Sequence, residues 1–307
     1  MLKKFLAIIV ASITVLTVSI FPMHSVFAQE ASETITLSPA TARPVLNAGE
    51  KVTDKLTVIN NGTVGYTFLM YTRPFSVSGE GYDPNYTIVN ERTEAYQWVQ
   101  FSRTKVRLEP GERIDIEYTV QTPKSARGGG HYAVLFAETQ PPEDQPANVA
   151  RKKRVGTLLY MRVNGTIEEK GNFESWDIKT LQTKAPVTGS VRLKNSGNIH
   201  YEANLSASYT NLFGKKQFEL NQQLLVLPGT IRKIPVLWQN PPYFGIFKAG
   251  GTVKFLGKTE KLPTKYVLLI PYSMMLAFVG IVAVIIASLF IKNKTTKNKF
   301  SSRAKRR

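Results

Sequence analysis

The sequence predicts an all-β chain: two tandem immunoglobulin-like β-sandwiches followed by one transmembrane α-helix. Three observations carry this. Short segments that alternate apolar and polar residues, separated by turn residues, fill the chain from Glu33 onward with almost no helical period. The order of strands and turns in the first half recurs in the second. Finally, Tyr266 to Ile291 holds no charged residue over 26 positions.

At the N-terminus, Lys3 and Lys4 precede an apolar run from Phe5 to Phe21, and Val26-Phe27-Ala28 supplies a V-x-A site. This order predicts a signal peptide over 1–28 with cleavage after Ala28. In the first sandwich, expected over 29–168, Lys55 to Ile59 alternates into the turn Asn60-Asn61-Gly62, and Arg113 to Val120 alternates for four periods. Alternation at period two implies one buried and one wet face. Tyr66 to Phe75, Tyr96 to Ser102, His131 to Thr139 and Val155 to Val163 read as further strands. Ser76 to Asn90, rich in Gly, Ser, Asp, Asn and Pro, reads as a long exposed loop, and Gln140 to Ala150 as a second loop.

The second sandwich, expected over 169–265, repeats this order. Val191 to Gly197 matches Leu56 to Gly62, each running into an Asn-x-Gly turn. A tyrosine-containing strand follows in both, then Leu108-Glu109-Pro110-Gly111 in one and Leu227-Pro228-Gly229 in the other. Pro presets its own φ and Gly accepts a positive one, which suits a tight turn. Thr252 to Leu256 reads as the last strand, and Gly257 to Lys265 as a short connection to the span.

The span is expected over 266–291. Its 26 residues would make a helix of about 39 Å, against a bilayer core of about 30 Å. Pro271 disfavours helix at the residue before it, so a regular span starts near Pro271. The tail, 292–307, carries Lys292, Lys294, Lys297, Lys299, Arg303, Lys305, Arg306 and Arg307 and no acid. Positive charge flanking a span marks the cytoplasmic side, so the expected protein is a single-pass one in the cell membrane, with the sandwiches outside and the C-terminus inside. The tail serves as an orientation signal and can also hold anionic lipid. A basic run fused to a span meets membrane lipid first, and no nucleic-acid partner is expected.

The whole chain carries 40 Lys+Arg against 22 Asp+Glu; without the two N-terminal lysines and the eight tail residues, 30 against 22 remain, a net charge of +8. That suits a surface crowded with anionic polymer. No cysteine occurs, so an exported chain must depend on its hydrophobic cores, a habit that fits an envelope of the Gram-positive type.

Several of these residues resemble a family. Ser38-Pro39, Gly49 with Leu56, Val58 and Asn60, Leu108 with Pro110-Gly111, and Gly128-Gly129-Gly130 leading into Tyr132-Ala133-Val134-Leu135-Phe136 resemble the WxL-interacting surface proteins of Gram-positive bacteria. The second sandwich, single span and basic tail follow in the same order. The resemblance implies a first domain that binds peptidoglycan and a second that engages a protein, in the family one of WxL type. The loop at 76–90 and the excursion from Gln140 to Arg154 depart from that pattern.

Candidate chemistry is sparse. His131 and His200 lie in different halves with no cysteine near either, and G-x-S-x-G and H-E-x-x-H are absent from the sequence. No catalytic residue, metal ligand or cofactor is therefore assigned. Tyr82 and Tyr86, in the first loop, are expected to be exposed and to contact glycan or a partner, whereas Tyr96 and Trp98 fill one face of the core. Arg151, Lys152, Lys153 and Arg154 are candidates for contact with peptidoglycan or teichoic acid, or else form a solvated charge run. The Asn-x-Ser/Thr triplets at Asn61, Asn85, Asn164 and Asn204 are expected to mean little. The expected function is a non-enzymatic surface protein that binds the cell wall and engages another surface protein. The alternative is an accessory or chaperone-like subunit of an envelope assembly or transport complex.

Overall fold

The computed structural model describes residues 35–140 and 152–304, with the backbone alone from 290 onward. The expected signal peptide, Arg151 and Lys305 to Arg307 lie outside the described residues.

The first half forms β1 (Ile35–Ser38), β2 (Thr41–Ala42), β3 (Val45–Leu46), β4 (Lys51–Asn60), β5 (Tyr66–Pro74), β6 (Ser76–Ser78) and β7 (Asp83–Asn85). After a 3-10 turn at Glu94–Trp98 come β8 (Val99–Phe101), β9 (Lys105–Leu108), β10 (Arg113–Gln121), β11 (Gly129–Gln140) and β12 (Arg154–Val163). One sheet has the order β1-β4-β10-β8. The facing sheet runs β2-β12-β11-β5-β9, with β3 also on β12. The expected alternation appears as burial: Leu56 and Val58 on β4, and Ile116, Tyr118 and Val120 on β10, point into one core with Phe68, Met70, Leu135 and Leu159.

β11 is different, because all nine residues from Gly129 to Ala137 are buried without alternation. A strand covered on one face alone would show every second residue to water. Here the outer face is covered as well, by a cluster of Phe75, Tyr132, Val134, Phe136, Tyr160 and Leu227. Gly156 faces Phe136 across the β11–β12 pair, where a Cβ would come within 2.9 Å of its ring.

The second half forms β13 (Gly171–Ile178), β14 (Leu181–Gln182), β15 (Val187–Asn195), β16 (Tyr201–Asn211), β17 (Lys216–Val226), β18 (Ile231–Trp238), β19 (Gly245–Phe255) and β20 (Lys258–Leu269). Its sheets, β13-β15-β18 and β14-β20-β19-β16-β17, enclose a second core that includes Trp176, Leu193, Leu205, Tyr209, Val253 and Val267. Residues 164–170 connect the halves.

The repeat seen in the sequence has a structural cause. Asn60 and Asn195 are both fully buried. The Asn60 amide donates to the carbonyls of Val64 at 2.8 Å and Leu108 at 3.1 Å and accepts from Gly62 N. The Asn195 amide donates to Ile199 and Val226, each at 2.8 Å, and accepts from Gly197 N. Their own carbonyls receive Gly111 N and Gly229 N, the glycines of the two Pro-Gly turns. Each asparagine thus satisfies buried backbone groups that its turn would otherwise orphan.

Two expectations about the C-terminal part are corrected. Gly257 to Lys265 is no connection: Leu256 and Gly257 make a left-handed turn at φ 49° and 71°, and β20 pairs with β19. Tyr266 to Leu269, assigned to the span, close β20, with Val267 and Leu269 buried in the second core. The helix, α1, begins after Pro271 and covers Tyr272–Ala304, so the backbone of most of the basic tail is helical. Its segment Tyr272–Leu289 is long and apolar enough to cross a membrane, with a mean hydropathy of 2.4 and no residue buried.

Candidate functional site

The loop expected to be exposed is a strap between the halves. β6 and β7 pair as a hairpin with Tyr82 near its tip at φ 64°, a left-handed conformation that non-glycine residues adopt at a cost of about 1 kcal/mol or more. The cost is met by contacts with the second half. The Tyr82 hydroxyl accepts a hydrogen bond from Leu227 N at 2.9 Å and donates to Thr230 Oγ1, whose own hydroxyl donates to the Leu227 carbonyl. The Arg232 guanidinium lies 4.4 Å from the Tyr82 ring centre. Burial raises the Tyr82 pKa, so the hydroxyl stays protonated. One residue-pair away, Arg192 Nε donates to Glu80 at 2.8 Å, and Lys233 N donates to the Glu80 carbonyl. Tyr82 is therefore not exposed as expected; it is half-buried against β18 and the turn before it.

The rest of the joint is equally polar. Arg92 donates to the Asn198 carbonyl at 2.9 Å, and Arg43 pairs with Glu202 at 2.5 Å. The three glycines at the start of β11 allow this approach: a Cβ on Gly128 would lie 2.7 Å from Thr166 N, and one on Gly129, at φ 130°, 2.7 Å from the Asn198 carbonyl. His200 N donates to the Tyr132 hydroxyl at 3.0 Å, and that hydroxyl faces His200 Nδ1 at 3.1 Å. Burial, reinforced by Arg43, lowers the His200 pKa to about 4. His131 sits apart in the first core, against Trp98 at 4.8 Å, with Nε2 on the Arg127 carbonyl, and burial lowers its pKa too. The two histidines have separate partners.

Tyr86 points the other way, onto the outer face of the first half. It packs edge-on to Phe136 at 5.2 Å, and the Arg154 guanidinium lies 5.5 Å from the Tyr86 ring and 4.9 Å from that of Phe136. Two residues singled out separately in the sequence, Tyr86 and Arg154, thus meet. They line a groove of about 650 Å³ with Arg73, Asn85 and Tyr96. Arg73 and Tyr96 also line a second groove of about 900 Å³, with Tyr71, Gln97, Gln100, Phe101 and Glu138. Tyr71 donates to Glu138 at 2.6 Å, Lys152 lies 3.7 Å from the same carboxylate, and Arg73 sits over the Tyr71 ring at 5.6 Å. Burial, then the Glu138 bond, raises the Tyr71 pKa.

Among the described residues of the basic run, Lys152 and Arg154 are exposed and Lys153 is half-buried. Arg154 is stacked on aromatics, Lys152 is paired, and Lys153 joins its backbone to Thr139. Tyr96, expected in the core, is partly buried: it packs against the first core and also lines the groove, while Trp98 is in the core. Sequence reading missed Tyr71 and Arg73; their signal was position, two apart on β5 and so on one face.

No family model matches the chain, and no curated protein does. Solved structures that are similar include the class 5 fimbriae chaperone CfaA, 12% identical over 78% of this chain and 100% of that one, with a TM-score of 0.38. The YadV chaperone is 11% identical over 74% and 99%, with a TM-score of 0.41, and the E. coli chaperone DraB 14% over 77% and 97%, with 0.37. At such identities and scores the likeness is too distant to carry function.

Proposed function

We propose that the chain is a non-enzymatic, single-pass surface protein in which two tandem immunoglobulin-like domains hold a wall polymer and a protein partner, as in the WxL-interacting family it resembles. The observation that carries the first partner is the pair of grooves that share Arg73 and Tyr96, one lined also by Tyr71 and the other by Tyr86 and Arg154. Aromatic faces suit the apolar faces of sugars, and guanidinium groups suit carboxylates and phosphates. An anionic wall glycan, peptidoglycan or teichoic acid, offers both.

Position supports this reading. The joint meets the second half at Asn198, Glu202, Leu227 and Thr230, whereas α1 leaves from the opposite end, where Asn211, Gly245 and Leu269 sit at the ends of β16, β19 and β20. With Tyr272–Leu289 in the membrane, the grooved half stands away from the bilayer. Sedimentation of the detergent-solubilised full chain with purified sacculi tests the proposal. Retention that weakens steeply as salt is raised is expected, because exposed charge contacts are screened within about 8 Å at physiological ionic strength. No retention at low salt would count against it.

A second reading, an accessory or chaperone-like subunit of an envelope complex, is favoured by β17. Among the described residues this edge strand of 11 residues pairs with β16 alone, and Leu220 to Leu224 carries no charge. An unpaired strand edge can receive an extended segment of another protein. Chain retention by a protein partner without any by sacculi would select this reading.

A further inference from the structure

The end of the second half from which α1 departs carries exposed apolar side chains on two loops. The β16–β17 hairpin turns through Leu212-Phe213-Gly214, and Phe213 is 95% exposed. Nothing about this tip is loose. Asn211 Oδ1 accepts Phe213 N at 3.1 Å and Lys215 N at 2.9 Å, Gly214 N donates to the Asn211 carbonyl, and Gly214 takes φ 80°. A hydrogen-bonded turn that presents a whole phenylalanine ring to solvent forgoes the stabilisation of burying it. The β18–β19 loop presents Tyr243 and Phe244, 65% and 60% exposed. Its Tyr243 hydroxyl lies 2.7 Å from Ser273 Oγ, in the first turn of α1.

Register places both loops at one level. Asn211 pairs with Phe247 on β19, and Gly245 pairs with Leu269 on β20, three residues before Tyr272. The 18 residues Tyr272–Leu289 span about 27 Å as a helix, close to the hydrocarbon thickness of about 30 Å. Tyr272 therefore falls at the membrane–water boundary, the depth at which aromatic side chains concentrate. Lys215 beside the hairpin tip and exposed Lys184 in the β14–β15 loop face the same level, where they suit anionic headgroups.

We propose that Leu212-Phe213 and Tyr243-Phe244 dip into the headgroup region of the leaflet on the ectodomain side, so that the second half rests on the bilayer at the helix and at two loops. The inference rests on the reading of α1 as a membrane span. Its consequence is that the second half is held at a fixed tilt and the joint carries that orientation to the groove.

The chain has no cysteine, so single cysteines can be labelled. F213C, bearing an environment-sensitive fluorophore, is reconstituted as the full chain in phosphatidylcholine vesicles with and without phosphatidylglycerol. T63C, in the exposed turn at the far end of the first half, serves as reference. Expected are a blue shift at 213 and loss of emission when the lipid carries a shallow spin label, stronger with the anionic lipid, and neither effect at 63. A probe at 213 that emits as in water, in a chain that resists alkaline extraction from the vesicles, overturns the inference and leaves the span intact. Release by alkaline extraction removes the span and the inference together. A blue shift equal in detergent and in vesicles, without quenching by lipid, would mean that protein covers the tip and would likewise overturn it.

Discussion

The Tyr82 hydroxyl accepts the backbone N–H of Leu227 at 2.9 Å, joining residues 145 apart in the chain. Through this bond and the adjoining Glu80–Arg192 pair, a hairpin of the first half is fastened to the second. Tyr82→Phe keeps the ring under Arg232 and removes only the hydroxyl, leaving Leu227 N without its partner. We expect a loss of about 1–2 kcal/mol, read as faster amide exchange at Leu227, with little change in the exchange of β4 and β10.

Asn60 and Asn195 lock equivalent turns in separate cores. Replacing either with alanine strips two carbonyls of their donors, both buried at Asn195 and one of them at Asn60, and Asn→Asp does the same while adding a carboxylate. Each substitution should cost about 3 kcal/mol or more, with aspartate the worse. Since the two sites share no partners, the double variant should lose the sum within about 0.5 kcal/mol. Denaturant unfolding of the full chain in detergent measures both.

Acid should loosen the joint. An unfolded His200 takes up a proton near its ordinary pKa of 6.5, whereas the folded protein resists until about pH 4, because burial and Arg43 disfavour the imidazolium. Between those values the unfolded state binds more protons, so stability is full above pH 6.5, falls as the pH drops towards 4 and levels below it. His131, whose pKa burial also lowers, adds a loss of the same sign. His200→Gln should flatten part of the dependence of thermal unfolding on pH between 7 and 4; an unchanged slope would mean that His200 does not contribute.

Local signals made much of the fold legible. Leu56 to Gly62 and Val191 to Gly197 show their role in seven residues because the asparagine, the glycine and the alternating strand lie side by side in sequence. The strap was not legible. Tyr82 has the composition of an exposed loop around it, and its partners Leu227 and Thr230 are 145 and 148 residues away. Tyr266 to Leu269 misled for a different reason: a strand end buried in a core and a helix facing lipid are both apolar, and only Pro271 divides them. Of the groove, Tyr86 and Arg154 were visible as an aromatic and a charge, but their meeting depends on the pairing of β11 with β12 and on the fold of the strap.

The most direct test of the central claim is equilibrium retention of the full chain on purified sacculi, comparing the native protein with the Arg73→Ala, Arg154→Ala double variant. Each guanidinium-to-ligand contact is worth about 0.5–2 kcal/mol, so losing both should weaken half-saturation roughly five-fold or more. Thermal unfolding of the variant guards against a general loss of structure. Weakened retention with a native-like unfolding transition is the predicted result; equal retention of the two proteins would contradict the groove as the site of wall binding.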